Sequence, residues 1–342
     1  MVNTVDSIKE AAERTARESI LKYLLTRKVD HEPHILLTKI FPVEAQMKSG
    51  LHGLTTSLGS SLWEKLAKEI ALKNGFNLII DMDVEEIDHS KSQNFPDSLK
   101  IVMQQWNASR PIDDSNPEGK PLKEFVSEYE SELNKISNFP PIDFQPMGDG
   151  QGIDVFLEKD QIEYAFDLKT VQPTKSSGKN YYSRLLNWYQ FRILQKKFQP
   201  KIAPQKEKGF QGHFVIPYDT TQRGWWNQNV SKARPLSKFD LLVADDFWDL
   251  LSGITNTLQS IEAGFDNLAS DQILVQLYRD CINDDSEFPR LKLLEYERNL
   301  APLEEFDFST KAAKEFECSI CKNKFKQKLE FILSPDYSCS KH

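Results

Sequence analysis

The stretch GIDVFLEKDQIEYAFDLKT (152–170) decides the fold of this chain. It contains two runs rich in β-branched and aromatic residues with a short polar break between them, a pattern that predicts a β-hairpin. With the turn centred between Asp160 and Gln161, Asp154 on the first strand faces Asp167 on the second. Facing Cβ atoms of an antiparallel pair lie about 5 Å apart, so the two carboxylates are predicted to be neighbours.

The two carboxylates and a nearby lysine indicate a metal-dependent site. Lys169 lies two residues beyond Asp167 and shares its face of the strand. Neighbouring carboxylates repel each other unless a cation lies between them, and Mg²⁺ is the usual cation where phosphate is also a ligand. Such an ion polarises the phosphate and lowers the pKa of bound water, with the carbonyl of Leu168 as a further candidate ligand. The ammonium of Lys169 is predicted to orient the water and offset developing charge. The alternative is a surface hairpin with ordinary exposed charges.

The remaining sequence predicts an α/β protein. Helices are predicted at 5–27, 54–73, 97–108, 121–136 and 180–197, strands at 77–80, 211–217 and 239–244, and a polar loop at 81–94. Strands with helices on both sides indicate a mixed central sheet in an α/β sandwich. The predicted organisation is an N-terminal helical segment (1–50), a catalytic domain (51–260), a second helical segment (261–310) and a C-terminal module (311–342).

Composition favours a cytoplasmic protein, and the distribution of charge is compatible with a nucleic-acid partner. No run of apolar residues is long enough for a membrane span, and the first 25 residues are typical of an amphipathic helix rather than a signal peptide. The net charge is −8, yet the segment 168–235 holds thirteen Lys or Arg residues against two acids. A basic block inside an acidic chain is typical of a phosphate-binding surface, although a solvated basic helix and loop explains it equally well. No glycine-rich phosphate loop or dinucleotide motif predicts a nucleotide cofactor.

The basic block supplies the candidate DNA contacts. Basic side chains of its helical part are predicted to bind phosphates, which gives affinity without sequence information: Lys175, Lys179, Arg184 and Arg192. The loop TTQRGWWNQNVSKARP (220–235) offers side chains able to read bases: Gln222, Arg223, Asn227, Asn229 and Arg234. The two arginines of this loop are the favoured guanine readers. The alternative for any single residue here is a solvated polar group beside two core tryptophans.

Four residues near the C-terminus have the spacing of a structural zinc site. Cys318 and Cys321 are separated by two residues, and Cys339 and His342 repeat that spacing at the end of the chain. Two such pairs complete the four tetrahedral ligands that Zn²⁺ takes in structural sites. The alternative is a coincidental cluster of free cysteines, whereas Cys281 is predicted to be a small buried residue.

The hairpin resembles the core of PD-(D/E)XK nucleases and, more narrowly, the TdeIII family of type II restriction endonucleases. The resemblance rests on Gly152-Ile153-Asp154, on Phe166-Asp167-Leu168-Lys169-Thr170 and on Gln172-Pro173, with FDLLVADDFWDLLSG (239–253) similar to the last core strand and helix. It covers about residues 50 to 255, and Ile153 stands where the motif's name has proline. It implies a restriction-endonuclease-like core and a homodimer that cuts double-stranded DNA at a short GC-rich interrupted palindrome of the GGNCC kind.

A helical glutamate often joins such a site, and Glu64 is the candidate, with Glu69 as the alternative. Two other functions stay open on the sequence. A repair nuclease, nickase or junction resolvase would use the same residues on another DNA substrate. A DNA-binding protein without catalysis would carry hairpin carboxylates that only look like a site.

Overall fold

In a computed structural model of the chain, the described residues are 3–26, 62–79, 85–87, 97–109, 121–138, 144–146, 153–169, 175–198, 209–218, 239–283, 287–299, 314–317 and 324–327. They form two compact units. The first comprises residues 3–20 and the described residues from 62 to 270, and the second comprises 21–26 and the described residues from 271 onward. Candidate site residues of the hairpin belong to the first unit.

The helices and strands within these residues are numbered in chain order. The helices are α1 (Val5–Thr26), α2 (62–73), α3 (Asp97–Ser109), α4 (Leu122–Lys135), α5 (Lys175–Phe198), α6 (Asp245–Ser252), α7 (Thr257–Ala269), α8 (Gln272–Asn283) and α9 (Glu287–Asn299). The strands are β1 (Asn77–Leu78), β2 (Glu85–Ile87), β3 (Phe144–Pro146), β4 (Val155–Lys159), β5 (Ile162–Leu168), β6 (Gly209–Ile216), β7 (Leu241–Val243), β8 (Lys314–Glu317) and β9 (Lys324–Gln327). No helix in this part of the chain has the length and apolarity of a membrane span.

The first unit is built on a mixed five-stranded sheet with the strand order β1-β4-β5-β6-β7. β1, β4 and β5 pair antiparallel, whereas β5, β6 and β7 pair parallel. Because a parallel pair needs a long crossover, α5 lies between β5 and β6 in the chain. The prediction of a mixed sheet flanked by helices is confirmed.

Alternating side chains of β5 enter two different hydrophobic cores. Ala165 packs in a cluster with residues of α3, α4 and α5, which include Tyr129 and Trp188. Phe166 and Leu168 point the other way and pack with residues of α1, α2, α6 and α7. Since both faces of the strand are covered, a charged side chain on β5 is removed from water whichever way it points.

Strand β2 lies in a segment for which the sequence predicts a polar loop. Glu85, Glu86 and Ile87 pair antiparallel with Pro146, Gln145 and Phe144 of β3 in a separate two-stranded sheet. The loop prediction for 81–94 is therefore wrong at these three residues. Two glutamates and an isoleucine are a weak strand signal, and the strand exists because β3, nearly sixty residues later, supplies its hydrogen-bond partners.

The second unit contains helices and a hairpin. In it Tyr296 donates a hydrogen bond to the carboxylate of Asp271, which links α9 to the start of α8. Cys281 is buried, as the sequence predicts. Strands β8 and β9 pair antiparallel. Cys318 and Cys321 fall between these strands in the sequence, and like Cys339 and His342 they lie outside the described residues.

Candidate active site

The β4–β5 hairpin brings the two candidate aspartates together through its register. Val155 pairs with Phe166 and Glu158 with Glu163, which is the register that the sequence predicts. Asp160 and Gln161 have φ angles of 50° and 61°. Positive φ at both central residues is typical of the two-residue type I′ turn, whose twist suits a hairpin. The next position beyond the paired strands is therefore Asp154 facing Asp167.

Asp154 is anchored to the opposite strand at two points. Its main-chain N–H donates to the carbonyl of Phe166 at 3.0 Å, and its Oδ2 accepts the main-chain N–H of Leu168 at 2.7 Å. An amide donor to a carboxylate is a charge-assisted hydrogen bond, which is stronger than a neutral one. The side chain of Asp154 is thus held beside Asp167 while remaining partly exposed.

Asp167 is buried and is held by two cations. Lys169 contacts its Oδ1 and Arg184 of α5 contacts its Oδ2. Burial raises the pKa of Asp167 to about 6, and the neighbouring charge of Asp154 adds to the rise, while Lys169 and Arg184 oppose it. The folded protein therefore favours the neutral form of this carboxyl more than water does. A further positive charge at this point would stabilise the carboxylate.

Lys169 lies where the strand ends and solvent begins. Its main-chain N–H donates to the carbonyl of Val215 on β6 at 2.8 Å, so the backbone there is still fixed to the sheet. About a quarter (26%) of its side chain is exposed. The ammonium is therefore held at the carboxylate and is still accessible to a molecule arriving from solvent.

Glu64 belongs to α2, and its charge interacts with those of the hairpin. Burial raises the pKa of Glu64, the charge of Asp154 raises it further, and Lys68 and Lys169 oppose the shift. Lys68 lies 3.8 Å from Glu64. Trp63, which precedes Glu64 in the sequence, packs against Phe265 of α7 with 5.9 Å between ring centroids. The start of α2 is therefore fixed by aromatic contacts.

Glu69, the alternative to Glu64, is used within the packing of two helices. It binds Arg14 of α1 and Lys73, the latter at 3.0 Å. Burial alone would raise the pKa of Glu69, but the hydrogen bonds from Arg14 and Lys73 outweigh it and the pKa is lowered. A carboxylate with two cationic partners of its own is the weaker of the two candidates for the site.

The donor chemistry around Asp154 and Asp167 suits a hard divalent cation. Carboxylate and carbonyl oxygens are the ligands that Mg²⁺ prefers. Burial raises the pKa values of Asp167 and Glu64, and the charge of Asp154 adds to both shifts. Within the described residues, no three His, Cys, Asp or Glu side chains are gathered closely enough to hold a metal. In this arrangement Lys169 and Arg184 neutralise Asp167.

Comparison with known proteins assigns the chain to a family. The HinfI family of type II restriction endonucleases matches residues 4–269, which contain the whole hairpin and the sheet. The chain belongs to this HinfI family. The prediction of a type II restriction endonuclease family is therefore confirmed, whereas the narrower TdeIII relationship stays a prediction.

One curated relative of this HinfI-family chain is a type II restriction enzyme, MjaII of Methanocaldococcus jannaschii. It is 21% identical over 221 residues, which are 61% of this chain and 51% of that enzyme. The chain thus spans about half the length of this relative. No solved structure matches the chain.

The candidate DNA contacts of the HinfI-family chain fall into three groups. Lys175 and Lys179 lie in the first turns of α5. Arg184 and Arg192 lie further along the same helix, where both bind carboxylates of β5. The base-reading candidates lie outside the described residues: Gln222, Arg223, Asn227, Asn229 and Arg234.

The prediction that Arg192 binds a DNA phosphate is wrong, because this side chain is used inside the protein. Its side chain is buried, its Nε and Nη2 donate to the two oxygens of Glu163 at 2.8 and 2.7 Å, and its Nη1 donates to Gln195. All three guanidinium nitrogens therefore have partners inside the protein. The sequence alone does not distinguish the two cases, because a basic residue in a basic segment has the same pattern whether its partner is a phosphate or a buried glutamate.

The pairing of Arg184 with Asp167 is the site contact that sequence reasoning missed. A signal was available in the spacing. Arg184 and Arg192 are eight residues apart on one helix, and Asp167 and Glu163 are four residues apart on one strand. Eight helical residues span about 12 Å and four strand residues about 13 Å, so the two arginines match the two acids when helix and strand run in opposite directions.

Proposed function

We propose that this chain is a Mg²⁺-dependent type II restriction endonuclease that hydrolyses phosphodiester bonds in double-stranded DNA. The observation that carries the proposal is the β4–β5 register, which puts Asp154 beside Asp167 at the end of a hairpin from which Lys169 emerges. Membership of the HinfI family supplies the reaction class. The resemblance of the sequence motif to PD-(D/E)XK nucleases supports the same reaction.

The roles follow from the position of each group. Asp154 and Asp167 would hold Mg²⁺ together with the carbonyl of Leu168, and Glu64 would support the site from α2. Lys169 supplies the positive charge of the site. When bound, the ion would polarise the scissile phosphate and make its water a better nucleophile. The chain's own contribution is to fix the carboxylates on a rigid hairpin and to present the Lys169 ammonium to the attacking water and the phosphate.

For the target, we propose a GC-rich interrupted palindrome of the GGNCC kind, cut by a homodimer. The support is the resemblance of the hairpin motif to the TdeIII family and the base-reading residues of the 220–235 loop. A two-fold symmetric dimer suits a palindrome because each protomer reads one half-site. Sedimentation or light scattering at the concentration used for cleavage tests the dimer directly.

For the C-terminus, we propose a structural Zn²⁺ module held by Cys318, Cys321, Cys339 and His342. The support is the paired Cys-x-x-Cys and Cys-x-x-His spacing, with the first pair falling in sequence between β8 and β9. The predicted segments 1–50, 51–260, 261–310 and 311–342 and a cytoplasmic location are part of the same proposal. Zinc content near one equivalent per chain supports the module, and less than half an equivalent contradicts it.

The decisive experiment is digestion of a sequenced plasmid by the purified chain with Mg²⁺, followed by mapping of the ends. Discrete fragments that share one short sequence at every end are the expected result. Nicks only, or preference for branched DNA, would indicate a repair enzyme or resolvase, and intact DNA with both Mg²⁺ and Mn²⁺ would indicate a DNA-binding protein. Mapped ends without the GGNCC pattern would overturn the target alone.

Two lysine variants connect any cleavage to the hairpin. Lys169→Ala should lower the cleavage rate by about 10²-fold or more, since it removes a charge placed where charge develops. Lys135→Ala is the control, because Lys135 is largely exposed on α4 and pairs with Glu132 of the same helix. Equal rates for the two variants would show that cleavage comes from elsewhere or from a contaminant.

A further inference from the structure

Arg184 occupies a place in the site that neither the motif nor the family membership assigns. It contacts Oδ2 of Asp167, the oxygen that Lys169 does not contact. Only about a fifth (20%) of the Arg184 side chain and almost none of the Asp167 side chain are exposed. Water therefore screens this pair weakly, and each charge depends on the other.

The aromatic surface behind Arg184 restricts its guanidinium further. Phe214 is the residue of β6 that pairs with Asp167 across the parallel strands, and its ring centroid lies 5.9 Å from the guanidinium carbon. Tyr181, nearly one turn earlier on α5, stacks on the ring of Phe214 with 4.4 Å between centroids. The carboxylate of Asp167 and the ring of Phe214, which face each other across β5 and β6, thus define the position of Arg184.

A second pair further along fixes the helix that carries Arg184. Arg192 and Glu163 form a fully buried double hydrogen bond, and eight residues of α5 match four residues of β5 in length, as described above. Arg184 and Arg192 lie on the same side of the helix because eight residues make about 2.2 turns, which leaves the two side chains about 80° apart around the axis. Slippage or rotation of α5 would therefore break both pairs together.

We propose that Arg184 is a positioning residue of the active site, which holds Oδ2 of Asp167 so that Oδ1 is presented to Lys169 and the reacting groups. The inference rests on the proposed nuclease function and deepens it. It replaces the role predicted from the sequence, in which Arg184 contacts a DNA phosphate. The two roles predict different losses. Removing a positioning residue lowers the cleavage rate, whereas removing a phosphate contact lowers DNA affinity.

The test compares cleavage with DNA binding in Arg184→Ala, Arg184→Lys and a control, Arg279→Ala, which changes an exposed helical arginine of α8. Binding is measured by filter binding or anisotropy with Ca²⁺, under conditions that do not permit cleavage. Arg184→Ala should lose about 100-fold in cleavage rate, as expected when a reacting group is displaced by about 1 Å, and keep its DNA affinity. A parallel loss of affinity and rate would overturn the proposal in favour of a phosphate contact.

Chemical rescue separates positioning from a general loss of structure. Guanidinium or methylguanidinium at tens of millimolar should restore part of the cleavage by Arg184→Ala, and the same concentration of sodium chloride should not. No rescue, or rescue by either salt, overturns the proposal. Should Arg184→Ala fail to fold, Arg184→Met and Arg184→Lys replace it, with the lysine variant expected to retain the higher rate because it keeps the charge.

A readout without cleavage distinguishes failure of this inference from failure of the nuclease proposal. Melting temperatures of Arg184→Ala, Asp167→Asn and the double variant form a cycle. If the two groups hold each other, the effects are not additive. Additive effects overturn the role of Arg184 even where the wild-type chain cuts DNA, and wild-type protein that cuts no DNA overturns the nuclease proposal whatever the cycle shows.

Discussion

Two arginine–carboxylate pairs join α5 to β5, and they differ in ways that separate structure from function. Glu163 and Arg192 are buried together, and Arg192 satisfies both carboxylate oxygens. Asp167 lies four residues further along β5, near the end of the strand, where it pairs with Arg184. Lys169 and Asp154 also approach there, and Arg184 is partly exposed.

The chemistry of the two pairs is the same, and only their neighbours differ. At the Glu163–Arg192 pair, called the inner pair, one cation meets one anion, so the charges are balanced and shielded from solvent. The Asp167–Arg184 pair is called the outer pair. At the outer pair Asp154 and Glu64 add negative charge, and the pKa of Asp167 rises to about 6 mainly through burial. A perturbed carboxyl in a cluster of like charges is typical of a functional site, whereas a balanced buried pair is typical of packing.

The largest effect is expected at the outer end of the hairpin. Asp154→Asn should lower cleavage by about 10²- to 10³-fold, because it removes a charge next to the reacting groups. The melting temperature should change little, because the asparagine oxygen can still accept the Leu168 amide. Glu158→Gln is the matched control on the same strand and face, and a comparable loss of cleavage in that variant would remove the distinction between the two ends.

The inner pair should respond in the opposite way. Arg192→Met leaves Glu163 buried without its partner, which costs about 3–5 kcal/mol of stability. Urea unfolding should reveal this loss, while the folded fraction should still cleave DNA. Combining Arg192→Met with Glu163→Leu should recover much of the stability because no unpaired charge remains. Failure to recover would mean that the pair itself specifies the packing of α5.

A smaller effect is expected on the other face of the sheet, at His213 of β6. Burial lowers the pKa of His213 to about 4, its Nδ1 donates to the carbonyl of Phe239 at 3.0 Å, and its ring stacks on Phe166. The unfolded chain takes up this proton below pH 6.5 and the folded chain only below about pH 4. The stability that His213 contributes is therefore complete above pH 6.5 and falls as the pH drops towards 4, by about 2–3 kcal/mol.

Urea unfolding of the wild type and His213→Phe at about pH 7.5 and pH 4.5 measures this contribution. The wild type should lose more stability than the variant between the two conditions, whatever the absolute cost of losing the Phe239 hydrogen bond. Equal losses would show that the acid sensitivity of the fold lies in other groups.

The smallest effect is expected in α2, where it tests which of two glutamates contributes to the active site. Glu64→Gln should lower cleavage by about 10-fold, because a water-bridged or peripheral ligand contributes less than a direct one. Glu69→Gln should leave cleavage unchanged and cost at most about 1 kcal/mol of stability, since it weakens partly exposed ion pairs. The reverse ranking in a cleavage assay would transfer the site role to Glu69.

Local patterns explain which parts of the fold were predictable. The hairpin register depends on alternation within β4 and β5 and on a two-residue turn at Asp160 and Gln161, and all of these are encoded within fifteen neighbouring residues. Helices α1, α3 and α4 lie within two residues of their predicted bounds because apolar spacing and proline or asparagine-glycine breaks are local too. Strand β2 is not predictable from local sequence because its hydrogen-bond partners are distant in the chain.

The sequence by itself determined the hairpin, the pairing of Asp154 with Asp167 and the face on which Lys169 lies, since each follows from a period of two and one tight turn. Only the tertiary structure decided which cations meet which carboxylates. The partners of Arg184 and Arg192 depend on how α5 is rotated and placed along β5, and the approach of Glu64 rather than Glu69 depends on how α2 packs. Such contacts join residues that are far apart in the chain, and their geometry is set by the packing of whole elements rather than by any local pattern.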